Sequence, residues 1–259
     1  MFNKNPRFVV AINNSCLDAL RVSVPPLRRF RGKFDLVVYN NDVDVKTLSR
    51  MVRNLGWHGK LHIVNSEKNL SELDAYIAMI DFLRNSTIDA EWVMFVGDTD
   101  VLIDAKLPNI SDDVFAIVQN ATTLCDSHVD LFKINPNWTG GTDCGKTGPH
   151  FEINGTAIRA TVLFEFVDFI RPILIQVKKI LREEKCSLSM AIWEMLHVMM
   201  RTRHPEMSPI YMNQTNYVAI NLGTIGAKRM TKNKTAGTAA RFRKIAEFAA
   251  TQNMVAENQ

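Results

Sequence analysis

At Glu91–Asp104 the chain reads E-W-V-M-F-V-G-D-T-D-V-L-I-D. The residues Trp92–Val96 are apolar and include the β-branched and aromatic types that fit a buried strand. Gly97 then allows the chain to turn, and the carboxylates of Asp98 and Asp100 follow. Like charges this close together are costly, and a divalent cation is the usual remedy. The stretch therefore predicts a metal site that faces a phosphate-bearing ligand.

The composition is that of an ordinary globular protein. Of the 259 residues, 46% are hydrophobic and 22% are charged, which is sufficient apolar material for one large domain. The net charge of +4 is compatible with a phosphorylated ligand or an anionic membrane surface, but it is too small to indicate nucleic acid binding. We therefore expect no nucleic acid partner.

Cysteine usage and the start of the chain predict a cytoplasmic protein. The four cysteines are widely spaced and form no C-x-x-C pair, which favours reduced thiols over disulfides. The first residues, M-F-N-K-N-P-R, contain no apolar stretch of signal-peptide length, and no run approaches the roughly 20 apolar residues of a membrane span. Any membrane contact would then be peripheral, at the inner face.

Three further apolar runs precede Glu91, and each ends in small polar residues. The predicted strands are Arg7–Ile12, followed by N-N-S, Asp35–Tyr39, followed by N-N-D, and Leu61–Val64, followed by N-S. Helical segments with short connections separate these strands. This alternation predicts a parallel sheet covered by helices on both faces. Because the carboxyl ends of parallel strands meet at one edge, where ligands of open α/β sheets bind, these polar residues predict a ligand-binding edge.

The helices between these strands have recognisable ends. A helix from Leu17 is expected to stop before Pro25-Pro26, because proline lacks the N–H that a helix needs. The helix over Val45–Leu55 is expected to stop at Gly56. Ser71, with Asp74 three residues later, predicts a capped helix start.

The second half of the chain mixes strands, a long loop and helices. The predicted elements are strands at Val114–Val118, Val129–Ile134 and Tyr217–Asn221, a glycine-rich loop at Asn135–His150, a mostly helical region from Phe151 to about Arg203 that includes a helix at Leu188–Met200, and a basic, then helical, end at Lys228–Gln259. A break is expected at Arg171-Pro172. We interpret residues 1–259 as one domain.

In order and spacing, the first four strands and their polar ends resemble the GT-A nucleotide-sugar glycosyltransferases of the small bacterial type. The matching motifs are F-V-V-A-I before Asn13-Asn14-Ser15, L-V-V-Y before Asn40-Asn41-Asp42, H-I-V before N-S-E-K-N-L, and W-V-M-F-V-G before Asp98-Thr99-Asp100, which corresponds to the D-x-D motif of that family. Residues F-E-I-N-G-T-A-I-R, from Phe151, resemble the strand-to-helix entry on the family's acceptor side.

The resemblance implies an α/β fold of the GT-A type, a mostly parallel sheet flanked by helices with a helical C-terminal part. Residues 1–105 would form the nucleotide-sugar-binding half, residues 106–227 the acceptor-side half, and residues 228–259 a basic loop and C-terminal helix. It also implies a donor, most simply a UDP-sugar, and a saccharide or lipid-linked acceptor of surface polysaccharide or lipopolysaccharide synthesis.

The resemblance further implies roles for named residues. Mn²⁺ or Mg²⁺ would be held by Asp98 and Asp100, with Asp100 as the direct ligand and Asp98 also within reach of the ribose. Thr99 would contact the nucleotide sugar, and Asn13 and Asp42 would line the pocket for the base and ribose. A carboxylate such as Asp42 can accept a hydrogen bond from a base N–H or a ribose hydroxyl.

The catalytic base is the least determined part of this interpretation. An inverting enzyme needs a carboxylate that deprotonates the acceptor hydroxyl, and Glu184, in the Glu183-Glu184 pair before Leu188, fits the family's distance from the D-x-D motif. Glu194 and Asp143 are rivals. The pair is equally explained as acids at a helix start, which the helix dipole favours. A retaining enzyme would need no base there.

Two other sequence features stay open. His150, His197 and His204 are candidates for a histidine of the metal shell, and none is assigned. The basic stretch from Lys228 to Lys234 is equally explained as a loop that closes over the diphosphate and as a solvated turn, and attraction to a membrane surface is a third possibility.

Two other function classes compete with a glycosyltransferase. The segment D-T-D-V-L-I-D is similar to the nucleophile motif of haloacid-dehalogenase-like phosphatases, in which Asp98 would attack phosphorus. That motif belongs on a first strand and requires glycine where this chain has Val101. A non-catalytic nucleotide-sugar-binding protein on the same scaffold is the other alternative.

Overall fold

The computed structural model describes residues 7–13, 20–27, 34–40, 43–65, 71–97, 100–102, 110–124, 147–149, 152–184 and 188–220. The strands in these ranges are β1 (Phe8–Asn13), β2 (Phe34–Asn40), β3 (Leu61–Asn65), β4 (Trp92–Gly97), β5 (Val101–Leu102), β6 (Val114–Leu124), β7 (Thr147–Pro149), β8 (Thr156–Arg159) and β9 (Ser208–Ile220). The helices are α1 (Leu20–Leu27), α2 (Val45–Asn54), α3 (Glu72–Asn85), α4 (Ala160–Ile170), α5 (Leu174–Glu184) and α6 (Leu188–Arg203), with a 3-10 turn at Arg171–Ile173.

These strands form one sheet in the order β3-β2-β1-β4-β8-β6-β9-β5, with β7 paired to β6. The first four strands are all parallel, because β1 pairs in parallel with β2 and β4, and β2 pairs in parallel with β3. The second part is mixed: β8 is antiparallel to β4 and β6, whereas β6 and β9 are parallel. The predicted α/β class, a largely parallel sheet flanked by helices, is confirmed.

Both faces of the central strands are buried, which explains why these strands are continuously apolar. In β4 the alternate residues Trp92, Met94 and Val96 pack with α1 and α2 on one face. Val93 and Phe95 pack with α3, α4 and α6 on the other face. The sheet is therefore the middle layer of three, and its carboxyl edge lies between two helical layers.

Two predicted helix boundaries are confirmed. They are the end of α2 at Gly56 and the capped start of α3 at Ser71. Gly56 has a φ of 96° and its N–H donates to the carbonyl of Arg53, while the N–H of Trp57 donates to the carbonyl of Val52. This pair of bonds is the Schellman motif, which requires a left-handed residue at the position of Gly56. At the start of α3, Ser71 is the N-cap and its Oγ accepts from the N–H of Asp74.

The helical region of the second half breaks where expected, and one helix end was predicted wrongly. The 3-10 turn Arg171–Ile173 separates α4 from α5, with its proline in the first turn, where a missing N–H is tolerated. By contrast, α1 continues through Pro25 and Pro26 to Leu27 instead of stopping before them. Because proline has no N–H, each of the two removes a backbone bond to the carbonyl four residues earlier, and burial of Leu20, Val24 and Leu27 against the sheet stabilises this helix instead.

The strands of the second half are longer than the sequence predicts. β6 extends to Leu124 and β9 begins at Ser208, because the two strands pair with each other along almost their whole length. Register shifts interrupt this pairing, and the polar residues in the second half of β6 lack the apolar run by which a buried strand is recognised in a sequence. Thr147–Pro149, inside the predicted loop, pairs with β6 as β7. The predicted strand Val129–Ile134 lies outside the described residues.

Candidate functional site

The polar residues that end the first four strands lie along one edge of the sheet. Asn13, the last residue of β1, is in register with Gly97, the last residue of β4. Asn40, the last residue of β2, is in register with Asn65, the last residue of β3. The predicted convergence of strand ends at a single carboxyl edge is therefore what the sheet shows, and in the sequence Asp98 directly follows Gly97.

Asn40 organises the β2 end of this edge, a role that the sequence analysis did not identify. Its side chain is fully buried, and its Nδ2 donates to the carbonyl of Val43 at 2.6 Å and to Oδ1 of Asn65 at 2.7 Å. Its Oδ1 accepts from the N–H of Val43 at 3.1 Å. One buried amide thus closes the turn from Asn40 to Val43 and joins it to β3.

Asp100 is the one predicted metal ligand within the described residues, and its carboxylate packs on Gly97. The residue is only 9% exposed, and its N–H donates to the carbonyl of Gly97 at 2.9 Å. A Cβ on Gly97 would lie 2.9 Å from the carboxylate carbon of Asp100 and closer still to its Oδ2. Glycine at this position leaves the space that the carboxylate fills.

The role of Gly97 therefore differs from the expected one. Among the described glycines, Gly56 and Gly155 are the ones with positive φ. Gly97 ends β4 without the left-handed conformation that would require glycine for a turn. Steric space for Asp100, and not backbone freedom, is what this glycine supplies.

A turn at 152–155 lies beside the end of β4, where Asn154 forms a bridge with Phe95. The N–H of Gly155, whose φ is 77°, donates to the carbonyl of Phe95 at 2.7 Å. The N–H of Asn154 donates to Oγ of Ser189 at 3.0 Å. The Nδ2 of Asn154 lies 3.6 Å from the position that a Cβ on Gly97 would take.

Tyr76 of α3 completes this arrangement. Its hydroxyl donates to Oδ1 of Asn154 at 2.7 Å, and its ring packs edge-on against Phe95 with centroids 5.0 Å apart. We call Tyr76, Gly97, Asp100 and Asn154 the edge cluster. Sequence reasoning missed Tyr76 and Asn154, because it took Tyr76 as one more apolar position of a helix. The signal that could have indicated Asn154 is the Asn-Gly pair in F-E-I-N-G.

Several predicted site residues lie outside the described residues: Asp42, Asp98, Thr99, Asp143, His150 and the basic stretch from Lys228. For Asn13 the backbone is described and its position at the edge is as expected. Glu184 is the last residue of α5, so it ends one helix instead of beginning the next. The helix dipole does not favour an acid at the C-terminal end of a helix. The dipole therefore does not explain Glu184, as it would have at a helix start.

The donor set at the edge is compatible with the predicted metal. A buried carboxylate such as Asp100 is the hard oxygen ligand that Mn²⁺ and Mg²⁺ take. Among the described residues no group of three His, Cys, Asp or Glu side chains could hold a metal ion. The second predicted carboxylate, Asp98, lies outside that set, so Mn²⁺ or Mg²⁺ binding stays a prediction.

A second polar group, the distal cluster, consists of Glu165, Arg203, His204 and Glu206. Glu165 accepts from Nη1 of Arg203 at 2.9 Å and lies 2.7 Å from Nε2 of His204, whose Nδ1 lies 3.7 Å from Glu206. Burial raises the pKa of Glu165, but hydrogen bonds from Arg203 and His204 and the charges of both outweigh burial, so that pKa is lowered. His204 therefore belongs to an ion-pair cluster.

The distal cluster lies far from the edge. Ser189, which contacts Asn154, is in the first turn of α6, and Arg203 is its last residue. At 1.5 Å per residue these two positions are about 21 Å apart along the helix. His197, between them, packs edge-on against Trp193 with ring centroids 4.5 Å apart.

No helix in the part of the chain that the structure describes is long and apolar enough to cross a membrane.

Comparisons with known proteins give similarity to solved structures. No protein-family model and no curated protein matches the chain. Among solved structures, the chain is similar to the glycosyltransferase GlyE of Streptococcus pneumoniae TIGR4, with a TM-score of 0.42 and 12% sequence identity. The similarity covers 79% of this chain and 45% of that one, so this chain spans less than half the length of GlyE.

Proposed function

We propose that this chain is a metal-dependent glycosyltransferase that moves a sugar from a nucleotide-sugar donor, most simply a UDP-sugar, to a saccharide or lipid-linked acceptor. The observation that carries the proposal is the buried carboxylate of Asp100 at the carboxyl edge of four parallel strands. Ligands of open α/β sheets bind at this edge. The D-T-D sequence adds a second carboxylate, Asp98, directly after Gly97.

Asp100 and Asp98 are the residues that would hold Mn²⁺ or Mg²⁺. Carboxylate oxygens suit both ions, which keep coordination positions for phosphate oxygens and water. When bound, the ion supplies positive charge that offsets the charge of a diphosphate leaving group. Burial of Asp100 strengthens its attraction to a cation, because a less polar environment screens charge less.

The strand ends beside Asp100 supply groups for the nucleotide. Asn13 lies in register with Gly97, next to the D-T-D segment. In sequence, Asp42 stands between Asn40 and Val43, which are hydrogen-bonded to each other. A carboxylate and an amide can accept and donate hydrogen bonds to a base and a ribose, which supports both as nucleotide ligands, with Thr99 beside the phosphates.

The acceptor half of the proposal depends on Glu184 as the general base. It ends α5, four residues before α6 begins, and the first turn of α6 contacts the edge cluster through Ser189. A carboxylate there could deprotonate an acceptor hydroxyl of an incoming saccharide. An acceptor of surface polysaccharide or lipopolysaccharide synthesis is the class that we infer from the resemblance.

A thermal-shift screen tests this function. The full chain is heated with UDP, GDP, CMP or dTDP, each with Mn²⁺ or with EDTA, since a ligand of the folded state raises the melting temperature. We expect one nucleotide to stabilise the protein with Mn²⁺ but not with EDTA, and Asp100→Ala to remove this difference. Asp112→Ala is the matched control, because the Asp112 side chain is fully exposed, 3.9 Å from Arg159.

Three outcomes would contradict the proposal. Stabilisation that is equal with Mn²⁺ and EDTA, and unchanged by Asp100→Ala, would exclude the metal site. Trapping of Asp98 by beryllium fluoride, which mimics an aspartyl phosphate, would favour the phosphatase. Binding without hydrolysis or transfer of any sugar nucleotide would favour the non-catalytic binding protein.

A further inference from the structure

The buried side-chain amide of Asn40, at the carboxyl end of β2, has a fixed orientation. Two of its hydrogen bonds go to the backbone of one residue: Nδ2 donates to the carbonyl of Val43 at 2.6 Å, and Oδ1 accepts from the N–H of Val43 at 3.1 Å. A reversed amide would bring N–H against N–H and oxygen against oxygen. These two bonds therefore determine which end of the amide is the nitrogen.

The same nitrogen determines the orientation of a second amide, that of Asn65. Nδ2 of Asn40 donates to Oδ1 of Asn65 at 2.7 Å. Because an amide nitrogen donates hydrogen bonds and does not accept them, only the oxygen end of the Asn65 amide can face it. The Nδ2 of Asn65 is consequently at the opposite end of that amide. Asn65 is exposed, and within the ranges that the structure describes no atom accepts a hydrogen bond from its Nδ2.

Asn65 ends β3 at the same edge of the sheet as the proposed metal ligand Asp100. It is in register with Asn40, one residue beyond the level at which Asn13 and Gly97 end their strands. Adjacent strands lie about 4.8 Å apart, so in the order β3-β2-β1-β4 the end of β3 is about 14 Å from the end of β4. An extended nucleoside diphosphate has a comparable length. A nucleotide whose phosphates lie beside Asp100 can therefore reach Asn65 with its base.

The hydrogen bond from Asn40 prepares Asn65 for a ligand. An exposed side chain that is held in one orientation has already lost rotamer freedom when the protein folds. A ligand that binds to it does not have to supply that ordering free energy again, which favours binding. The two bonds between Asn40 and Val43 are sufficient to close the end of β2, so the bond to Asn65 is not needed for that purpose.

We propose that Asn65 determines the specificity for the base of the donor nucleotide, and that Asn40 is its positioning residue. Asn65 presents an N–H donor, so it favours a base with a carbonyl at its pairing edge, as in UDP, over one with an amino group there, as in CDP. A donor that meets an amino group stays unpaired, which lowers the affinity. This inference rests on the proposed function, because it takes the ligand of the edge to be a nucleoside diphosphate.

The binding test is calorimetric titration of the full chain with UDP and with CDP in the presence of Mn²⁺. The two ligands have equal charge, so the ratio of their dissociation constants is not changed by a general loss of stability or of electrostatic attraction. We expect the wild type to prefer UDP about tenfold, the value of one hydrogen bond. Asn65→Asp keeps an oxygen for Asn40 but replaces the outward N–H by a carboxylate oxygen, so the preference should disappear or reverse. Asn85→Asp, at an exposed asparagine that ends α3, is the matched control and should keep the preference.

A second variant tests Asn40 as the positioning residue. Asn40→Asp keeps an oxygen that accepts from the N–H of Val43, but it replaces Nδ2 by an oxygen that repels Oδ1 of Asn65. The Asn65 amide should then turn its nitrogen inward and present its oxygen, so the preference for UDP should fall although Asn65 itself is unchanged. A purely structural role of Asn40 would weaken the binding of UDP and CDP equally.

Because a buried carboxylate also destabilises the fold, a spectroscopic measurement on stable variants accompanies Asn40→Asp. In ¹⁵N-labelled protein without nucleotide, Asn65→Asp should shift the assigned side-chain NH₂ signal of Asn40, since it changes the acceptor of one of its protons. Asn85→Asp should leave this signal in place. Addition of UDP with Mn²⁺ to the wild type should shift the side-chain NH₂ signal of Asn65.

The outcomes separate the inference from the proposed function. A preference for UDP that is equal in the wild type and in Asn65→Asp, a wild type that prefers CDP, or binding of another nucleotide but of neither UDP nor CDP overturns the inference and leaves the proposed function in place. An Asn40 signal that does not respond to Asn65→Asp overturns the assignment of Asn40 as the positioning residue. A wild type that binds none of the nucleotides, with or without Mn²⁺, overturns the proposed function and the base specificity that rests on it.

Discussion

The edge cluster and the distal cluster lie at opposite ends of α6 and are built in opposite ways. In the distal cluster, Glu165 lies between two groups that carry or can carry positive charge, Arg203 and His204. In the edge cluster, Tyr76 is hydrogen-bonded to Asn154, and the Asp100 carboxylate packs on Gly97. The distal cluster is thus built from acids paired with basic side chains, whereas the edge cluster is built around a carboxylate that packs on a glycine.

This difference teaches which cluster is suited to a ligand. A carboxylate that is paired with cations of the same chain gains stability from them and has less to offer an external cation. The buried carboxylate of Asp100 lies instead at the carboxyl edge of parallel strands, where ligands of open α/β sheets bind. Substitutions in the edge cluster should therefore change ligand binding, whereas substitutions in the distal cluster should change only the free energy of unfolding.

The largest effect is expected from Gly97→Ala. The added Cβ would lie in the space of the Asp100 carboxylate, so the carboxylate must move. Overpacking of this kind costs about 2 kcal/mol of the free energy of unfolding. Displacement of a ligand group should also weaken binding of UDP with Mn²⁺ about hundredfold. Urea unfolding and calorimetric titration measure the two effects.

Gly59→Ala is the matched control for Gly97→Ala. A Cβ on Gly59 would lie 2.6 Å from the ring of Trp57, which is fully buried, so this variant is overpacked as well. It should lose stability of similar size, about 1–3 kcal/mol, without any change in nucleotide binding. If both variants bound UDP equally well, Asp100 would not be part of the binding site.

A smaller effect on stability alone is expected from Glu165→Gln. The substitution removes the charge that Arg203 and His204 share but keeps the size of the side chain. The Glu165 side chain is 29% exposed, so solvent screens the pair and the loss should be about 1 kcal/mol. Binding of UDP with Mn²⁺ should stay at the wild-type value, and weaker binding would show that the two ends of α6 are coupled.

The stability difference between the wild type and Glu165→Gln should become smaller as the pH falls. Burial raises the pKa of Glu165, but hydrogen bonds from Arg203 and His204 outweigh burial, so that pKa is lowered in the folded state. Its contribution is therefore fully present above the unfolded pKa of about 4.3 and is lost as the pH falls through the folded value. Melting temperatures of wild type and Glu165→Gln should differ at pH 6 and converge towards pH 3. A difference that grows on acidification would contradict this assignment.

The first half of the fold was predictable because its signals are local. Buried parallel strands are continuous apolar runs, and parallel pairing alone places Asn13, Asn40 and Gly97 at one edge. The Schellman end at Gly56 and the cap at Ser71 likewise depend on neighbouring residues. Fold class and the position of the candidate edge therefore follow from patterns that span fewer than 15 or so residues.

The details of the edge cluster were not predictable, because they depend on contacts across the chain. Tyr76 has the spacing of an apolar helix position, and nothing local indicates that its hydroxyl contacts Asn154. Gly97 has the sequence context of a turn, although its reason is the Asp100 carboxylate. Glu184 was placed at a helix start by its distance from the D-x-D motif, but it ends α5. Tertiary packing decided each of these positions.

The smallest effects are expected from substitutions of Tyr76 and Tyr39, two tyrosines of the same core layer that can be compared directly. Tyr76→Phe removes a hydrogen bond and should cost about 1 kcal/mol of the free energy of unfolding. Tyr39→Phe removes a buried hydroxyl that has no hydrogen-bond partner in the described structure, so the stability should stay the same or rise by up to about 1 kcal/mol. Urea unfolding distinguishes the two. A loss in Tyr39→Phe as large as that in Tyr76→Phe would mean that the Tyr39 hydroxyl has a partner in solution, and that Tyr39 no longer serves as the neutral control.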